Sequence, residues 1–106
     1  MAWLTLIVAG ILEVVWSLGL KRSQGLTRPL SGAVTVVALV ASMLLLARAA
    51  RTLPIGTAYA VWVGIGAAGA AVGGVLLFDE PMPPQRAAFL ALLVASIAGL
   101  KATASP

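Results

Sequence analysis

The sequence predicts an all-α integral membrane protein of four transmembrane helices, and three observations lead there. Of its 106 residues, 61% are hydrophobic and only 9% charged, whereas a soluble domain carries roughly a quarter charged residues to wet its surface. The mean hydropathy is +1.09, so lipid is the expected solvent. Apolar runs near the length of about 20 residues that spans a hydrocarbon core of about 30 Å alternate with short segments rich in Gly, Pro and charge. No alternation of period two announces a strand, and nothing separates a second domain within 1–106.

The first run covers residues 2–20 and is interrupted only by Glu13. The segment KRSQGLTRP then supplies Lys21, Arg22, Arg28, a glycine and a proline, which reads as a loop. The second run is 30–50, with Arg48 near its end, where a long side chain snorkels to the interface. RTLP breaks the chain, and Pro54 is acceptable in a first helical turn. The third run is 56–78. The prolines of DEPMPPQR forbid a continuous helix. The fourth run is short and spans only if its flanks continue the helix over about 84–101; a three-span alternative leaves this segment with no home.

Cysteine and histidine are both absent, which removes disulfides, thiol redox and the usual physiological-pH titrator. Proton chemistry falls to Glu13, Asp79 and Glu80. No nucleophile–base or metal constellation points to an enzyme, and no cofactor or metal is expected. The net charge of +4 is scattered between apolar runs, which suits juxtamembrane anchoring rather than nucleic acid. The N-terminus has no basic segment before its apolar run, so no cleaved signal peptide is expected.

With four spans, Arg48, Arg51 and Lys101 fall on one side of the bilayer and Lys21, Arg22, Arg28 and Arg86 on the other. That near-balance gives almost no positive-inside bias. A chain without bias is able to insert both ways up, and two opposed copies then pair as an antiparallel, dual-topology homodimer.

The stretch GILEVVW places Glu13 within the first span. An ionised carboxylate in mid-bilayer costs at least about 2.5–3.5 kcal/mol. Such a group is poised between holding a proton and holding a cation, and intramembrane acids mark ion and proton pathways. A carboxyl that merely hydrogen-bonds a neighbouring helix is the plainer reading. Helical spacing puts Ala9, Gly10, Trp16 and Ser17 on its face: Gly10 leaves space, and Trp16 brings an indole N–H. On the second span Ser42 is a lone hydroxyl, with Thr35, Ala38 and Ala49 along a similar face; membrane serines also bond their own helix. On the third span Tyr59 and Trp62 lie three apart, each with a polar tip that wants a partner when buried. Trp3 suits an interfacial belt, whereas Trp16 and Trp62 sit deeper. Aromatic faces gathered around an acid make a cation site; spacing alone leaves open whether those faces converge.

Gly64, Gly66, Gly69, Gly73 and Gly74 distinguish the third run. Gly69 and Gly73 form a small-xxx-small pair suited to close packing, and Gly64-Ile65-Gly66 is a candidate bend. Ala91, Ala95 and Gly99 give the fourth run a similar seam.

Along nearly its whole length, to about Thr103, the chain resembles the small multidrug resistance family, and within it the guanidinium exporters. The resemblance rests on MAWL, EVVWSLGLK, GLTRPL, Ser42, TLPIGTAYAVWVGIGA, FDEP and GLK in that order. It implies a proton-coupled exporter of small cations in the cell inner membrane of a bacterium, built as an antiparallel dimer of four-helix subunits. The family's central glutamate falls on Glu13, which would bind substrate and protons by turns. The guanidinium subtype's polar network falls on Trp16, Ser42, Tyr59 and Trp62. At Trp16 the promiscuous drug-exporting branch typically has glycine; Lys101 also fits the guanidinium subtype. Ser96 departs from the glycine that relatives often carry in the fourth-helix seam, which touches dimer packing rather than function.

Guanidinium is flat, permanently charged and able to meet a carboxylate through two parallel hydrogen bonds, and a carboxylate oriented by Trp16 and Ser42 would favour it. A quaternary ammonium has no donors and needs only charge and apolar surface. The sequence therefore leaves three rivals: a broad quaternary ammonium exporter on the same scaffold, half of an obligate heterodimer, and a non-transport membrane subunit with an intramembrane acid. Near-balanced charge opposes the second, and aromatics flanking the acid oppose the third.

Overall fold

In a computed structural model, residues 2–103 are described. They form four α-helices in succession: α1 (Ala2–Arg22), α2 (Pro29–Ala49), α3 (Ile55–Phe78) and α4 (Pro84–Thr103). At 1.5 Å rise per residue, helices of this length reach about 30 Å, the thickness of a hydrocarbon core, and each is long and apolar enough to cross a membrane. The helices are apolar on every side, as lipid-facing spans are.

The connections explain the ends. Helix α1 runs on through Lys21 and Arg22, whose cations suit the negative end of the helix dipole. It closes with the Ser23 N–H donating to the Gly19 carbonyl at 2.8 Å and the Gly25 N–H to Leu20 at 2.9 Å. Gln24, Gly25 and Leu26 then take positive φ in succession, and Pro29 opens α2 in its first turn, where its missing N–H costs nothing. Helix α3 ends on Asp79 in the left-handed region, with its N–H on the Gly74 carbonyl. Pro81, Pro83 and Pro84 follow, the last opening α4.

Helix α1 is the centre of the fold. It packs along α2 and α3, while α3 touches α2 only slightly and carries α4, which reaches α1 through Lys101 over Trp3. Helices α1 and α3 run parallel: Gly10 faces Ile65, Glu13 faces Gly66, Val14 faces Gly69 and Leu18 faces Gly73. A Cβ at Gly10 would stand 2.7 Å from the Ile65 side chain, so the absence of side chains sets the closeness of this seam. Helix α3 is continuous through Gly64–Gly66; the candidate bend is instead a place of close approach, with Gly64 taking the Ile97 side chain of α4 and Gly66 the Glu13 carboxyl of α1. On α2 the buried face is Gly32, Thr35, Ala38, Ser42 and Ala49.

The small core consists of Leu6, Ala9, Ala49, Ala58, Val61 and Trp62, flanked by Trp3, Trp16, Leu53, Ile65 and Ile97 among others. Helix α4 buries none of its residues. The Cα envelope measures 42 × 34 × 16 Å, a slab rather than a closed bundle.

Candidate functional site

Glu13 sits midway along α1, and its Oε1 is buried against the backbone of Gly66 on α3. A Cβ at Gly66 would overlap the carboxyl group and force it to move, so the missing side chain is what lets it lie there. Oε1 accepts no hydrogen bond, and neither does the buried Nε1 of Trp16, one turn further along α1, donate one. A buried polar atom without a partner costs about 1–3 kcal/mol, and more when charged. Two such atoms on adjacent turns of one helix make this the least satisfied spot among the described residues.

Beside it lies a satisfied chain. The Trp62 Nε1–H of α3 donates to the Ser42 hydroxyl of α2 at 2.9 Å, and that hydroxyl donates to the Ala9 carbonyl of α1 at 2.6 Å. Three helices are thereby tied at one level, with Ser42 fully buried and Trp62 nearly so. Tyr59 stacks obliquely on Trp62, with ring centroids 5.8 Å apart and planes at 41°. Its own face is more than half exposed.

The residues singled out in sequence therefore divide. Ser42, Trp62 and Tyr59 form one continuous group, which touches α1 at Ala9, one turn before Glu13. Glu13 and Trp16 share the α1 face but bond neither each other nor Ser42, whose hydroxyl hydrogen is committed to Ala9. Gly10 makes room for Ile65 rather than for the carboxyl. Gly69 and Gly73 admit Val14 and Leu18. Two participants escaped sequence reading: the Ala9 carbonyl, since a backbone acceptor has no residue signature, and Gly66 as the neighbour of Glu13. For Gly66 a signal exists, because Gly66, Gly69 and Gly73 repeat at three and four on one face.

Comparison with known proteins agrees with this architecture. The family model described as Small Multidrug Resistance protein matches residues 1–93. A guanidinium exporter of Escherichia coli (strain K12) is 54% identical over 101 residues, covering 95% of this chain and 96% of its own. Guanidinium exporters of Citrobacter freundii and Salmonella typhimurium are each 52% identical over 101 residues, with the same coverage. Four membrane-capable helices, an acid inside the first and this likeness along nearly the whole chain place it in the small multidrug resistance family, as a multi-pass protein of the bacterial inner membrane.

Proposed function

We propose that this chain exports guanidinium and small guanidinyl cations in exchange for protons, with Glu13 as the shared seat of both. The observation that carries the reading is the buried, unpartnered Oε1 of Glu13 at the α1–α3 contact. Such an oxygen is satisfied by a proton of its own or by a cation that brings N–H donors, and guanidinium brings several in a plane. The names of the relatives supply the cargo class. Trp16, with an N–H as yet unused, is suited to orient the carboxylate by a rotamer change when cargo enters; Ser42, Tyr59 and Trp62 form the wall that fixes the level of the site.

The working unit in this reading is an antiparallel homodimer. A slab 16 Å thick encloses no path, and a helix that buries nothing offers a face to a second copy. With the site open to the cytoplasm, deprotonated Glu13 takes guanidinium. The dimer re-opens to the other side, external protons displace the cation, and the protonated form returns. Coupling follows if the two cargos compete for the Glu13 pair and the empty, deprotonated dimer moves poorly.

The test is proton movement in liposomes holding the purified protein, driven first by a guanidinium gradient and then by a tetraalkylammonium gradient. Guanidinium alone should drive protons, and Glu13→Gln should abolish the signal while leaving assembly intact. Equal responses to both cations would make the protein a broad exporter, and persistent coupling in the variant would remove Glu13 from the mechanism.

A further inference from the structure

The two ends of the molecule differ in their acidic side chains. At one end Lys21 pairs with Glu80, stands 5.1 Å from the Phe78 ring centroid, and has Asp79 in the same α3–α4 connection. At the other end are Arg48, Arg51 and Lys101, with no acidic side chain, since the chain's carboxylates are Glu13, Asp79 and Glu80. Lys101 lies over Trp3, 5.6 Å from its ring centroid. Among the described residues Arg48 and Arg51 belong to no ion pair; Arg22, Arg28 and Arg86 form none either, but their end of the molecule holds Asp79 and Glu80.

The end of α2 holds these two arginines together. The Ala50 N–H donates to Leu46 at 2.9 Å, the Arg51 N–H to Arg48 at 3.2 Å and the Leu53 N–H to Ala49 at 3.1 Å. Helical turning thus persists to Arg51, and side chains three apart stand one above the other. Arg48 and Arg51 line two depressions. One, of about 240 Å³, is also lined by Ala2, Thr5 and Thr52. The other, of about 330 Å³, is lined by Leu44 and Ala47, which lie deeper along α2 toward the hydrocarbon. Two arginines shared by both hollows, with Leu44 and Ala47 beside them in the second, match one kind of molecule.

We propose that Arg48 and Arg51 bind the phosphodiester of an anionic phospholipid, with an acyl chain descending α2 over Ala47 and Leu44. Guanidinium meets phosphate through paired, charge-assisted hydrogen bonds. Each cation near an anionic membrane surface adds to lipid attraction. The Leu44 and Ala47 side chains in the second hollow favour a lipid over free phosphate, which has no chain to lay against them, and two positive charges turn away a guanidinium cargo. This site is independent of the transport reading.

The experiment is native mass spectrometry of the detergent-solubilised protein titrated with phosphatidylglycerol and with phosphatidylcholine of identical acyl chains. Phosphatidylglycerol should bind in preference, Arg48→Gln/Arg51→Gln should lower its affinity at least about tenfold, and Arg22→Gln/Arg86→Gln should leave the preference in place. If the double variant does not fold, Arg51→Gln alone, beyond the end of α2, carries the same test with a smaller loss. Equal retention of the two lipids, an unchanged preference in the arginine variant, or displacement of the lipid by millimolar inorganic phosphate would overturn the proposal.

Discussion

Helices α1 and α4 are almost the same length, 21 and 20 residues, and both are apolar enough to span a bilayer, yet their surroundings are opposite. Helix α1 is gripped on both sides: Gly66, Gly69 and Gly73 of α3 receive its side chains, and Thr35 of α2 closes on its Gly19. Helix α4 rests on α3 through Ile97 and Leu93 against Gly64 and presents Ala91, Ala95 and Gly99 outward. In lipid an exposed apolar face carries no hydrophobic penalty, so packing has to come from close fit and from hydrogen bonds. The chain concentrates both around the helix that bears the acid and leaves the last helix as a surface.

The largest effect is expected where the α1–α3 seam meets the carboxyl. Gly66→Ala places a Cβ in the space of the Glu13 carboxyl group, so the carboxyl must leave the seam. Guanidinium-driven proton flux in liposomes should fall by at least about tenfold, the scale on which a misplaced reacting group loses activity. Gly64→Ala is the matched control on the α4 side. Its Cβ meets the end of the Ile97 side chain, which can turn aside toward lipid, and flux should stay within about twofold of the parent. Equal losses in the two variants would erase the distinction between the seams.

Ala95→Leu asks whether the outward face of α4 is a contact between copies. A bulky side chain in a small-residue seam separates helices that need close approach. Crosslinking in membranes should show the dimer band falling sharply while the protomer stays folded. A dimer that persists at full strength would leave α4 as a lipid-facing helix and move the interface elsewhere.

A smaller effect is expected at Ser42. Its removal as Ser42→Ala leaves the buried Trp62 N–H without its acceptor and breaks the link to Ala9. Interhelical hydrogen bonds in membranes are worth about 0.6 kcal/mol on average, and an orphaned donor adds to that loss. Thermal unfolding in detergent should register a loss of about 1–2 kcal/mol. A variant as stable as the parent would show that the three-helix tie carries little of the fold.

These contrasts also mark what sequence reading reaches. The four spans follow from apolar length and from the prolines that separate them, and the structure shifts their ends by only a residue or two. The α2 face bearing Thr35, Ala38, Ser42 and Ala49 is legible from helical spacing, and all four residues are buried. Spacing along one helix says nothing about which face of another it meets. That is why Gly66 reads as part of a bend, and why Ser42 reads as a partner of Glu13 although its hydroxyl goes to the Ala9 carbonyl. Small residues on α3 and α4 look alike in sequence, yet the spaces beside Gly64, Gly66, Gly69 and Gly73 of α3 are filled by neighbours within the chain, while a Cβ at Gly99 meets nothing within 4 Å among the described residues.

Gly99 therefore gives the smallest and most discriminating prediction. Alanine is favoured over glycine inside a helix by about 1 kcal/mol, chiefly because glycine loses more backbone freedom on folding. Among the described residues no neighbouring atom lies within 4 Å of a Cβ at Gly99, so within one copy Gly99→Ala should be neutral or stabilising by up to about 1 kcal/mol. In a dimer that uses the Ala91–Ala95–Gly99 seam, the same methyl enters the partner's contact and opposes association. Thermal unfolding at low and high protein-to-detergent ratios separates the two contributions. Raised stability at the dilute end with weakened dimer at the concentrated end is the expected pair of results. A gain at both ends would place Gly99 outside the interface and confine the seam to Ala91 and Ala95.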